Sequence, residues 1–503
     1  MTVYNLNLGI GWASSGVEYA QAYRSNLLRN IHQPAKFVFM DMILADNIQH
    51  LTSNIGFQDN EVIWLYTHFT DIKIAPTSYS LDQVEASYDG VLSRKERDGK
   101  IVRFFYEQED TFITCYLRNE NEDFVERAEF VSRGVLIRKD YYSYTRYCTE
   151  YFIPKNNQAT LFQRRFYNED GSTAYDMLLT DSQEIYRFKD QWLYGKQALV
   201  KYFMQTLHLT KSDIVILDRE TGIGQAVFEE ATKAHLGVVV HAEHYSANSV
   251  DEDHILWNNY YDYQFTNADK VDFFVVATER QKEVLSQQFA KYSSHQPAIY
   301  TIPVGSLDQL RGQGESKRKP FSMITASRLA AEKHIDWLVK GVALAKKELP
   351  DITFDIYGKG GEEGKIVEMI QSEGAENYIS LKGHADLTDI YTEYDVYLSA
   401  STSEGFGLTL MEAIGSGLPI IGFDVPYGNQ TFVKDGLNGF LLPSSSDHVI
   451  DRIAEQFAAK IVETYKENKI TSMHQASYQE AEKFLTKHVE EAWSNLIQEV
   501  LHD

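Results

Sequence analysis

The chain has 503 residues, enough for two or three domains, and its 43% hydrophobic and 24% charged content is that of an ordinary globular protein. Its formal charge of −24, from 72 acidic against 48 basic residues, disfavours a broad phosphate-binding face for nucleic acid and simple electrostatic attraction to anionic lipid, and leaves room for a local basic site. Two cysteines, Cys115 and Cys148, are too few for a disulfide framework, and no apolar run approaches the length of a membrane span, so a cytoplasmic protein without a transmembrane segment is expected.

The first stretch, residues 1–74, alternates short apolar runs such as Lys36–Met40 with helix-length amphipathic segments such as Val17–Asn30. Residues 75–195 have a different texture. Runs such as "KIVRFFYEQ", "DTFITCYLRN" and "TLFQRRFYNEDGSTAYDMLL" alternate apolar and polar side chains between the turns "RDGK", "NENED", "KNNQ" and "NEDG". This reads as an antiparallel meander inserted into the first α/β domain, a form with exposed edges and one face that can meet a partner. Its segment "YYSYTRYCTEY", 141–151, holds five tyrosines, which suit either a recognition surface or cross-strand packing.

The α/β rhythm returns at 196–310, with Asp213–Leu217, Val238–Val240 and Phe273–Ala277 as strands and Gly224–Ala234 as a helix. The polar stretch "VGSLDQLRGQGESKRKP", 304–320, reads as the connection to a second α/β domain over 311–480. There the strands Thr353–Tyr357, Asp395–Ala400 and Pro419–Gly422 and the helix Ile335–Glu348 repeat the pattern. A terminal helix over 481–503 carries Phe484, Val489, Trp493, Ile497 and Leu501 near one stripe. The expected fold is α/β, with two Rossmann-like domains facing a cleft and the β-meander inserted in the first.

Four groups of residues could carry chemistry. "GIGWASSGVEYA" puts Gly9, Gly11 and Gly16 in the turn after the first strand, where a ligand could meet the backbone; alone, a glycine-rich turn is a weak signal. "VVVHAEHYS" puts His241 at a strand end, suited to a sugar hydroxyl or a reacting phosphate, whereas His244 suits the core. "SRLAAEKH" puts Arg328 and Lys333 just past a strand, as two cations for a diphosphate or as a solvated pair. "STSEGFGLTLMEAIGSGLP" places Glu404 before, and Glu412 inside, a helix opened by Gly405, Phe406 and Gly407. Eight helical residues span roughly 12 Å, comparable to the reach from sugar to ribose across a diphosphate. The helix start between them attracts phosphate oxygens. The plain alternative is a glycine-rich turn with two solvated glutamates. Metal binding has little support: "DED", 251–253, reads as a solvated turn, and the two histidines lack a third ligand in sequence.

Taken together, these residues resemble the GT-B glycosyltransferases of family GT4. The resemblance rests on "SRLAAEKH", "FDIYGKG", "ISLKGHADL", the glutamate pair and "SGLPIIGFDVPYG…VKDGLNGFLLP", over most of 321–445. It implies that Arg328 and Lys333 hold a diphosphate and Glu412 a ribose. Glu404, Gly405 and Phe406 would face the donor sugar, with Gly407 and Leu408 at the helix start. His384 would lie near the base, Gly16 by the phosphates and His241 near the sugar. The catalytic set would then be Glu404, His241, Lys333 and Arg328, with no metal and no other cofactor.

The opening "MTVYNLNLGIGWASSGVEYAQAYRSNLLRN" and the β-rich insertion are closer still to the catalytic subunits of a bacterial two-protein O-GlcNAc transferase that modifies serine-rich-repeat adhesins. That resemblance implies UDP-GlcNAc as donor and retaining transfer to Ser/Thr of an adhesin polypeptide. It also implies a GtfB-like stabilising subunit bound through the insert, no nucleic-acid partner, and a cytoplasmic place with peripheral association at the cell membrane. A GT4 enzyme acting on a glycolipid or polysaccharide, a glycogen- or sucrose-type transferase, and a non-catalytic sugar-binding or chaperone subunit are the alternatives.

Overall fold

A computed structural model of the chain describes residues 1–12, 16–156, 158–314, 318–444, 449–466 and 469–502. The centre of the first glycine-rich turn (13–15), Asn157 of the "KNNQ" turn, residues 315–317 of the expected connection and residue 445 at the end of the GT4-like span lie outside the described residues. By compactness the chain forms two units. One holds Met1–Val239, Trp257–Phe273 and Val500–Asp503; the other holds Val240–Leu256 and Phe274–Glu499.

In the first unit, strands Val62–Trp64, Ala35–Phe39, Val3–Asn7, Ile214–Leu217 and His235–Val240 lie side by side in that order, all parallel. Runs such as Ile214–Leu217 are buried on both faces, as a parallel sheet covered by helices requires. At the carboxyl ends of the two central strands sits a buried polar network. Asn7 donates to Glu18 (3.3 Å) and Gln21 (3.1 Å), while Gln21 donates to Asp218 (2.7 Å), which also pairs with Arg24. These bonds fix the helix Gly16–Asn30 against the strand that precedes it.

Between Arg94 and Tyr194 the chain makes ten antiparallel strands in sequential order. Alternation in Ile101–Tyr106 buries Val102, Phe104 and Tyr106 against Ile113, Phe130 and the helix Leu81–Ala86. Its first edge, Arg94–Asp98, is exposed along its whole length and charged, which discourages strand addition. Of the tyrosines in 141–151, Tyr141, Tyr142 and Tyr147 are buried, so packing within the sheet accounts for these three. Both cysteines are buried and unpaired in the same sheet.

The second unit carries a six-stranded parallel sheet. Its spatial order is Ile379–Gly383, Thr353–Tyr357, Ser322–Ala326, Val396–Ser399, Ile420–Phe423, Gly439–Leu442. The chain moves outward from Ser322–Ala326 in one direction and then from Val396–Ser399 in the other. A topological switch point therefore lies between those two strands, and loops that leave their carboxyl ends part there to leave a crevice. The stretch read as a polar connection holds an anchor: Leu307 is buried in the core of this unit, and its amide donates to the Phe484 carbonyl at 2.8 Å. Sequence polarity hid it because Val304, Leu307 and Leu310 are outnumbered by the polar and small residues around them, so composition alone reads as a linker. The terminal helix Thr486–His502 buries Val489, Trp493 and Ile497, as its stripe predicts. Among the described residues no helix is long and apolar enough to cross a membrane.

Candidate active site

From Ser322–Ala326 the chain runs through Ser327 and Arg328 into the tight turn Ala331–Lys333 and the helix Ile335–Ala345. From Val396–Ser399 it runs through the loop 400–407 into the helix Leu408–Gly415. Both loops thus leave the strands that flank the switch point. They meet where Lys333 Nζ donates to Glu404 Oε2 at 2.6 Å, the two side chains being 15% and 20% exposed. A charge-assisted bond this short and this sheltered orients both groups. The pair borders a small pocket whose other polar walls are Thr325, Ser327, Ser399, Ser401 and Thr409. Tyr397 closes its floor by donating to the Ala326 carbonyl at 2.8 Å; burial pushes its hydroxyl up to about 12, so it stays a donor.

Four further contacts hold the Glu404 loop. The amides of Tyr427 and Gly428 both donate to the Glu404 carbonyl, each at 2.8 Å. Tyr427 also donates its hydroxyl to Glu243 Oε1 at 2.7 Å, tying this loop to the segment that follows strand His235–Val240. Burial pushes the Glu243 carboxyl up, and the Tyr427 hydrogen bond pulls it back. Gly405 packs against the backbone of His241, where an added Cβ would lie 3.2 Å from the His241 carbonyl. Backbone approach, not turn freedom, is what calls for glycine there. Sequence reading missed Tyr427, Gly428 and Glu243. The one available signal was "VPYG", a turn placed directly after the strand Ile420–Phe423.

Lys333, Glu404, Gly405 and the His241 backbone therefore converge, while other expected residues stand differently. Arg328 is 81% exposed and among the described residues reaches only Glu332, at 3.5 Å, so the two-cation pair is not assembled; a long side chain without a buried partner stays in water. The Phe406 side chain is turned into the core. Its ring is 5% exposed and packs on Phe432 and Phe484, leaving only its backbone for a ligand. Burying such a ring contributes about 1.5–3 kcal/mol, which the hydrophobic neighbours supply and a sugar would not. Gly407 takes φ +89 at the helix start, so the amides of Leu408 and its neighbour are first-turn donors.

Glu412 lies inside the same helix, where the Tyr391 hydroxyl donates to its Oε2 at 3.3 Å. Burial pushes this carboxyl up to about 7; the Tyr391 bond opposes the shift and Asp386 adds to it. His384 is exposed just past strand Ile379–Gly383. His244 is a core histidine, wholly buried against Gln288 and Tyr427 and lowered to about 4 by burial. Asp251 accepts the amides of Asp253 and His254 and so closes an exposed turn. Gly16 opens the first helix of the other compact unit and is exposed.

Two Rossmann-like sheets, with a Lys–Glu pair and a glycine-opened helix at the switch point of one, define a glycosyltransferase of the GT-B class. Two family profiles match the chain: the GtfA extended beta-sheet domain over residues 94–190 and glycosyl transferases group 1 over residues 307–478. The UDP-N-acetylglucosamine–peptide N-acetylglucosaminyltransferase GtfA subunit of Streptococcus pneumoniae serotype 4 is 66% identical over the full length of both chains. A crystal structure of the pneumococcal O-GlcNAc transferase GtfA with UDP and GlcNAc superposes with a TM-score of 0.91 at 66% identity, covering 100% of this chain and 99% of that one. The crystal structure of a GtfA/B complex gives a TM-score of 0.98 at 66% identity, with 100% of each chain covered. The chain belongs to the GtfA family of glycosyltransferase subunits.

Proposed function

We propose that this chain is a catalytic subunit that moves N-acetylglucosamine from UDP-GlcNAc to Ser or Thr hydroxyls of a serine-rich-repeat polypeptide, with retention, and that it works with a GtfB-like partner. The observation that carries this reading is the Lys333–Glu404 pair at the switch point, beside the start of helix Leu408–Gly415. An ammonium has three donors, so Lys333 can hold Glu404 and a diphosphate oxygen together. First-turn amides of the helix add fixed positive potential at the same place. Both act on charge that grows as the C–O bond to the diphosphate breaks. In front-face transfer the acceptor oxygen attacks the anomeric carbon from the side the diphosphate leaves, and the acceptor proton passes to the departing phosphate oxygen. Glu404 orients the sugar, and Arg328 closes onto the diphosphate from its exposed position. His241 serves the sugar side, His384 the base and Gly16 the phosphates. Diphosphate charge is met by the protein itself, so EDTA is expected to leave the initial rate within about twofold; abolition by EDTA and restoration by Mg2+ or Mn2+ would contradict it.

Glu412 gives a pH dependence with a definite sign. Ribose hydroxyls donate to a carboxylate, so binding favours its ionised form, while burial holds the free carboxyl up to about 7. UDP binding is therefore expected to release a proton below pH 7, to tighten as pH rises towards that value and to level off above it. Calorimetry in two buffers of different ionisation enthalpy measures the proton count, and Glu412→Gln removes the released proton that UDP itself does not account for. Equal proton release in both proteins would exclude Glu412 from the ribose.

The decisive assay gives the full chain labelled UDP-GlcNAc or UDP-glucose and a Ser/Thr-rich peptide, with and without the partner subunit. Labelled peptide from UDP-GlcNAc, with the axial linkage retained, is the expected product. Label that enters only lipid or polysaccharide acceptors, or no label with either donor in the presence of the partner, would overturn the reading.

A further inference from the structure

A second polar site lies in the first compact unit, where the loop ahead of helix Ile48–Asn54 meets strand Val125–Ser132 of the ten-stranded sheet around a hollow of about 160 Å3. Asp46 Oδ1 and His50 Nδ1 face each other at 3.4 Å, and Glu126 reaches them from the sheet. One ligand atom from each of the three lies within 4.8 Å of the other two. Asp46 is held in advance of any ligand: it is 7% exposed, and its Oδ1 accepts the Asn47 amide at 2.7 Å. An imidazolium–carboxylate pair would satisfy His50 and that one oxygen. Among the described residues no hydrogen bond or ion pair engages the other Asp46 oxygen or the Glu126 carboxylate.

Tyr147 adds an independent observation. It is 6% exposed and lines the same hollow, yet among the described residues no group hydrogen-bonds its hydroxyl. A tyrosine buried to that degree ordinarily gives its hydroxyl a partner, so this one points to a polar occupant of the hollow. Two carboxylates and one imidazole, in reach of one point, are the donor set of a first-row divalent cation; magnesium and calcium favour oxygen alone.

We infer that Asp46, His50 and Glu126 bind a divalent cation of the zinc type, with water completing its shell beneath the Tyr147 hydroxyl. Its ligands come from both the parallel-sheet domain and the inserted sheet, so the cation pins one to the other. All three ligands belong to one compact unit, and the Lys333–Glu404 pair to the other.

The test titrates chelator-treated full-length chain with Zn2+ alone, by calorimetry and by metal analysis after desalting, and follows the melting temperature. Co2+ serves as a spectroscopic probe of the imidazole ligand. One tight equivalent of Zn2+ and a raised melting temperature are expected, with Glu126→Gln and His50→Ala each weakening binding by about tenfold or more. The nearly isosteric Glu126→Gln is checked for native circular dichroism, and its UDP-sugar hydrolysis is expected to be unchanged. Absence of a tight equivalent, or equal binding and equal Co2+ spectra in wild type and both variants, overturns the inference.

Discussion

Lys333→Ala is expected to lower the rate of sugar transfer by roughly 10²–10³-fold, the loss that follows removal of one pre-organised donor at developing charge. Glu404→Ala is expected to cause a comparable loss, because the two groups bond at 2.6 Å and each sets the position of the other. The double variant is then expected within about tenfold of the worse single one, since groups that act as a unit are not additive. Both side chains are largely sheltered, so either single variant also leaves a charge without its partner, and a modest fall in melting temperature accompanies it. Steady-state transfer rates for the two single variants and the double one make the measurement, with circular dichroism to check the fold. Lys333→Ala retaining a wild-type rate would remove Lys333 from the chemistry, and fully additive losses would mean that the two act separately.

Gly428→Ala is expected to be nearly as damaging, although Gly428 bears no functional group. An added Cβ would fall 2.0 Å from the Phe406 carbonyl oxygen and 3.0 Å from Glu404 Cγ. The Phe406 backbone cannot yield easily, because its ring is locked among Phe432 and Phe484. Strain therefore passes into the loop that carries Glu404, whose carbonyl also accepts the Gly428 amide at 2.8 Å. Overpacking of this kind costs about 1–3 kcal/mol, and displacement of a reacting group by even about 1 Å costs on the order of 100-fold in rate. The control is Gly361→Ala in the same unit, where an added Cβ meets nothing within 4 Å. Transfer rate and melting temperature of the two variants are compared; a Gly428→Ala protein that matches Gly361→Ala in both would show that the 404–407 loop tolerates the shift.

These outcomes separate what is written along the chain from what is not. Alternation of short apolar runs with amphipathic helices was enough to give the α/β class, and repeated apolar–polar alternation within 75–195 gave the antiparallel insert. Both periods are set by local backbone geometry, so they survive in one dimension. The element around Glu404 was equally legible: a strand, a glycine-opened loop and a helix at Leu408–Gly415. Pairing across the sheet was not. Lys333 and Glu404 are 71 residues apart and meet because the order of strands puts their loops at one switch point. Gly428 and Tyr427 reach the Glu404 loop for the same reason, and a bare "VPYG" turn carries no record of that. Side-chain direction was also beyond the sequence: Phe406 turned into the core and Arg328 into water, although both sit in motifs that suggested a ligand. The tyrosines of 141–151 show the limit most simply, since strand alternation says that neighbours face opposite ways but not which face is covered. The sequence alone therefore determined the periods, the turns and the residue types that chemistry could use. Only tertiary structure decided which of those residues share a pocket, because contact between distant strands is settled by packing that no single segment contains.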